Sequence, residues 1–134
     1  MRIVFFIFFF SFNSVFAQTI LLDENFSVIS QNGLPELWSQ TTLSNDGGWL
    51  SGTSNSLQSQ YWAIAPHDTF VATNDDACDC NKSADYLITP PLNFTGLDNA
   101  ILSFASYFSG QAFQGSIDRA TIEYSVNGGN TWLV

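Results

Sequence analysis

The chain has 134 residues, 12 acidic against 3 basic side chains, a formal net charge of −9 and 11% charged residues. That length holds one domain, and a surface this acidic does not neutralise phosphates, so nucleic acid and anionic membranes are not expected partners. One His and two Cys would have to supply almost all of a zinc catalytic centre or a Ser/His/Asp hydrolase, which argues against an enzyme within this chain.

Met1-Arg2 begins the chain, followed by an unbroken apolar run from Ile3 to Phe10, a polar break, and Val15 and Ala17. A positive start, a short apolar core and small residues at alternate positions predict a secretory signal peptide over 1–17, cleaved between Ala17 and Gln18. The apolar core is far shorter than the ~20 residues of a membrane-spanning helix. The product is therefore expected to be secreted or at the cell surface, with no transmembrane segment after cleavage. Losing Arg2 makes the mature chain more acidic.

From Gln18 onward no window keeps a helical apolar stripe for three turns. Ser, Thr, Asn, Gly, aromatic and β-branched residues dominate, which predicts an all-β domain over 18–134. Strand candidates in chain order are Ile20–Glu24, Trp62–Ala65, Thr69–Thr73, Tyr86–Thr89, Ala100–Phe108 and Ala120–Val126, with polar loops at Leu43–Gly48 and Gly52–Gln60. Ala100–Phe108 is apolar on both faces, as in a strand covered from two sides. In Ala120–Val126, Ala120, Ile122, Tyr124 and Val126 share one face. Asn127-Gly128-Gly129-Asn130 then turns the chain into Thr131–Val134, a hairpin with one buried face. Short strands at this spacing predict an antiparallel β-sandwich or jelly roll. Because Val134 falls within a return strand, the sandwich is expected to be incomplete at its C-terminus.

Asn74, Asp75, Asp76, Asp79 and Asn81 fall close together, with Asp85 just before a strand candidate. Such a loop offers the carboxylate, amide and carbonyl oxygens that calcium takes, and equally reads as a solvated acidic loop. It is not an EF-hand, lacking the loop glycine and terminal Glu. Cys78-Asp79-Cys80 admits a local disulfide, ranked first in an exported chain, two free thiols, or two soft-metal ligands with His67 as the obvious third. His67-Asp68 suggests a catalytic dyad only weakly, since no Gly-x-Ser-x-Gly elbow accompanies it. No pair of acids is selected for glycoside hydrolysis. Tyr61, Trp62, Tyr107 and Phe113 are aromatics that stack on sugars or a protein partner if exposed and fill the core if not. Asn25, Asn81 and Asn93 head Asn-x-Ser/Thr triplets, of consequence only in a eukaryotic secretory route.

The order of signals carries a resemblance. Glu24-Asn25-Phe26, Leu34-Pro35-Glu36-Leu37-Trp38, Trp49, Asp85-Tyr86-Leu87-Ile88-Thr89-Pro90-Pro91-Leu92 and Val126-Asn127-Gly128-Gly129-Asn130-Thr131-Trp132 follow one another across nearly all of residues 18–134. The series resembles the choice-of-anchor J and cleaved-adhesin modules of secreted bacterial proteins, relatives of gingipain adhesin domains and of MAM-type jelly rolls. It departs at Leu37, where the family usually has Gly. The resemblance implies a non-catalytic jelly-roll module of proteins that often use type IX secretion, normally continuing through further strands and a sorting domain. It also implies structural calcium, with Glu24, Asn74, Asp75, Asp76 and Asp85 as the ligand positions. The expected role is an adhesion or ligand-binding module contacting a host or matrix protein or a polysaccharide. The alternatives are an accessory domain of a secreted peptidase or glycosidase and a structural spacer.

Overall fold

A computed structural model describes residues 18–27, 33–108, 110 and 112–134; the predicted signal segment, including Ala17, lies outside them. The described chain is mostly coil and short strands. In order it forms β1 (Ser39–Thr41), β2 (Leu50–Gly52), α1 (Ser54–Leu57), β3 (Phe70–Ala72), α2 (Asp75–Cys78), β4 (Tyr86–Ile88), β5 (Ala112–Phe113) and β6 (Ser116–Ile117). Each strand joins a two-stranded antiparallel sheet: β1 with β4, β2 with β3, and β5 with β6. Gln40 faces Leu87 in the first pair and Ser51 faces Val71 in the second.

The strands β3 and β4 lie inside the expected Thr69–Thr73 and Tyr86–Thr89, where β-branched and aromatic residues favour extended backbone. β1 and β2 are polar Ser-Gln-Thr and Leu-Ser-Gly, and no propensity marks them. Both single-turn helices fall in segments read as loops. For α1 the reason is a local cap: the Thr53 amide donates to Ser56 Oγ at 2.9 Å, and the Ser56 amide donates back to the Thr53 carbonyl at 3.0 Å. Gly52 is required before it, because a Cβ there would lie 2.4 Å from Ser56 Oγ and 3.0 Å from Leu57 Cγ. For α2, Asn74 Oδ1 accepts from the Ala77 amide, and Asp79 ends the turn at φ +51°.

The core is small. Among the described residues its buried apolar members are Leu34, Ala72 and Leu57, at 2%, 7% and 9% exposure, with the buried Pro35 beside them and Ser54 at 6%. The Ser54 hydroxyl donates to the Ala65 carbonyl at 2.7 Å and accepts the His67 amide at 2.8 Å, so α1 holds the 65–67 loop by its main chain. Phe26 and Trp38 pack edge to face at 5.2 Å and bring the N-terminal stretch to the start of β1.

Three strand candidates take another form. Ile20–Glu24, Trp62–Ala65 and Ala100–Phe108 contain no strand. In the last, Ile101, Leu102, Phe104, Tyr107 and Phe108 are exposed rather than covered on two sides. The Ala120–Val134 hairpin is reduced to one bridge, Tyr124 with Leu133, closed by reciprocal main-chain bonds of 2.8 and 2.9 Å. Its turn is made as expected, with Gly128 and Gly129 at φ +69° and +84°. Its apolar face, however, points to solvent, with Ile122, Tyr124 and Val126 all exposed. An apolar strand is buried only by a partner strand or a packed layer; 120–126 meets its return segment only at the Tyr124–Leu133 bridge, and 101–108 is touched by the Trp62 ring stacked on Tyr107, which leaves most of both segments uncovered.

Candidate functional site

The densest side-chain cluster sits where β1, β3 and β4 end or begin, around Lys82. Its ammonium donates to Asp46 Oδ1 at 2.5 Å, the Gly48 carbonyl at 3.2 Å and Ser44 Oγ at 3.3 Å, and lies 3.4 Å from Asp85 Oδ2. The Lys82 and Asp85 side chains are 9% and 1% exposed. A carboxylate so buried must be fully hydrogen-bonded. Asp85 accepts from Thr42 Oγ1 on one oxygen and from Thr73 Oγ1 at 2.7 Å on the other. Thr42 follows β1, Thr73 follows β3 and Asp85 precedes β4, so one carboxylate ties three strands. The Trp49 indole N–H donates to the Asp85 carbonyl at 3.2 Å. The Gln40 amide group then bonds the Trp49 main chain twice, at 2.7 and 3.1 Å, in the manner of a strand neighbour. These bonds join the β1–β4 pair to the start of β2.

Partial burial pushes the Asp46 carboxyl up, but hydrogen bonds from Lys82, Ser44 and the Gly48 amide, with the Lys82 charge, outweigh it and bring it from 3.8 to about 2. The group is held as a carboxylate by the cation beside it. Gly48 has φ +75°, and a Cβ there would meet Gln40 Oε1 at 2.6 Å and Thr42 Cβ at 2.8 Å. Only glycine lets the main chain pass close enough to offer its carbonyl to Lys82.

The residues proposed as calcium ligands do not assemble into one site. Glu24 Oε1 accepts the Phe26 amide at 2.5 Å in the N-terminal stretch. Asn74 caps α2 and donates to the Leu57 carbonyl at 2.9 Å. Asp75 and Asp76 are exposed on α2. Asp85 is committed to Lys82 and the two threonines. No three of Glu24, Asp75, Asp76 and Asp85 bring carboxylate oxygens within 4.8 Å of one another; the one grouping of metal-ligand type among the described residues is Asp46, Cys78 and Cys80. There the two sulfurs are bonded to each other, S–S 1.98 Å, and a disulfide sulfur is not the thiolate that metals bind.

His67 stacks edge-on against Phe70 at 5.8 Å and, with Pro66 and Asp68, lines an open depression of about 420 Å³. The nearby Ser54 hydroxyl is bonded to main-chain atoms and not to the imidazole ring. Trp62 and Tyr107 stack at 5.8 Å with 17° between their planes, and Tyr107 Oη donates to the Ala63 carbonyl at 3.3 Å. Tyr61 beside them is 74% exposed and Tyr107 59%.

Sequence reasoning missed Thr42, Ser44, Asp46 and Lys82. One signal was available: Lys82 is the only lysine of the chain, and it sits among the acids of its most acidic loop. Among the described residues no helix is long and apolar enough to cross a membrane. A comparison with protein-family models, with curated proteins and with solved structures finds no match to this chain.

Proposed function

We propose that this chain is an exported, non-catalytic ligand-binding module, a jelly-roll β-sandwich of the choice-of-anchor J and cleaved-adhesin type, whose ligand is a polysaccharide or a matrix or host protein. The observation that carries the reading is the aromatic platform of Trp62 and Tyr107, stacked in parallel at 5.8 Å, with the ring of Tyr61 exposed next to it in the chain. Flat rings with polar tips at the surface suit ligands with one apolar and one wet face, such as a sugar ring. The net charge of −9 favours neutral or cationic ligands over anionic ones. The bonds around Lys82 tie Asp46, Gly48 and Asp85 to one another, which is a structural use of these polar groups and suits a binding module.

The test is a glycan and matrix-protein array probed with the exported protein and with Tyr61→Ala and Tyr107→Ala. Retention of a ligand by the parent, with at least tenfold weaker binding by the variants at unchanged melting temperature, is the expected result. An array that retains nothing would transfer the assignment to a structural spacer. Export itself is read from the N-terminus of the mature protein, expected at Gln18.

A further inference from the structure

We propose that the Lys82 ammonium stands in the place of a calcium ion, so that this loop cluster is closed by an internal cation and needs no metal. The inference is independent of the ligand-binding reading. Its basis is the donor set that converges on one point: two carboxylate oxygens, from Asp46 at 2.5 Å and Asp85 at 3.4 Å, the Gly48 carbonyl at 3.2 Å and the Ser44 hydroxyl at 3.3 Å. Carboxylates mixed with a main-chain carbonyl and a hydroxyl form the oxygen environment of a hard cation. An ammonium has three donors and no acceptor, so four oxygens facing it are one more than its N–H groups can serve individually.

Charge gives the second half of the argument. Two carboxylates carry −2 and Lys82 returns +1, and the remainder on Asp85 is offset by the Thr42 and Thr73 hydroxyls. Taking the ammonium away leaves two negative side chains, one almost fully buried, around a space lined with oxygens. That state favours a divalent ion. The acids that the calcium expectation singled out do not share a site, whereas Asp46 and Asp85, on loops before β2 and β4, share Lys82. The place an ion would take is held by the covalently attached charge of Lys82, two residues after Cys80.

The experiment compares the whole exported chain with Lys82→Ala and with Lys82→Ala/Asp46→Asn, each melted in millimolar calcium and in chelator and titrated with calcium by calorimetry. The parent is expected to melt at one temperature in both conditions and to give no binding heat. Lys82→Ala is expected to melt about 10 °C lower in chelator, to recover much of that loss in calcium, and to bind one ion. The double variant, having lost a carboxylate, is expected to lose both responses. Should Lys82→Ala be unfolded in chelator, regain of its near-ultraviolet circular dichroism on adding calcium supports the proposal equally. A parent stabilised by calcium, a Lys82→Ala protein indifferent to calcium whether folded or not, or a double variant that still binds the ion would each overturn it.

Discussion

Asp46 is the residue whose chemistry is most altered by the fold. Its carboxyl lies at about 2 against 3.8 for the free group, a depressed value, so its contribution to stability is full above pH 4 and is lost as pH falls from 4 to 2. Urea midpoints measured between pH 2 and 7 should show that acid slope in the parent and a smaller one in Asp46→Asn, whose stability should also be lower at pH 7. Leu37 is the converse, a residue in conflict with its backbone. It sits at φ +67°, in the turn closed by the Trp38 amide bonding the Pro35 carbonyl at 3.2 Å, and its side chain is 76% exposed. With no packing to lose, Leu37→Gly should raise stability by about 0.5–1 kcal/mol, the relief of left-handed strain less the added freedom of the unfolded chain. Gly48→Ala should lower it by about 2 kcal/mol or more, because both the dihedral and the space forbid a Cβ.

At the scale of elements, the two single-turn helices owe nothing to propensity. A helix of one turn cannot nucleate alone, and α1 persists because its last residue, Leu57, is one of the few buried apolar side chains. Leu57→Ala should therefore cost about 2–4 kcal/mol in denaturant unfolding. α2 is closed by the Cys78–Cys80 bond across a separation of two residues. A loop so short restricts the unfolded chain little, and reduction should cost at most about 2 kcal/mol. These helices also show why periodicity was silent about them: four residues contain no period. The strand pairs were partly legible. Phe70–Ala72 and Tyr86–Ile88 carry β-branched and aromatic side chains that announce extended chain. Their partners Ser39–Thr41 and Leu50–Gly52 do not, and are strands only because β4 and β3 lie beside them.

For the whole molecule, apolar patterning and burial part company. Residues 101–108 and 120–126 have the strongest strand signals in the chain, yet Ile101, Leu102, Phe104, Ile122 and Val126 are all more than half exposed. Stability is expected to be uneven as a result. In native-state hydrogen exchange the amides of β1–β4 and β2–β3 should be protected, while those of 101–108 should exchange with little protection. By itself the sequence determined the acidic balance, the lack of sustained helix among the described residues from Gln18 onward, the extended chain at β3 and β4 and the glycine turn at Gly128-Gly129, all of which depend on residue type or on neighbours a few positions away. Only the tertiary structure decided which strands pair and which polar groups meet. Lys82 is 36 residues from Asp46, and Asp85 is 43 from Thr42. Meetings at that separation depend on the path of the whole chain, and a local pattern of residues carries no record of it.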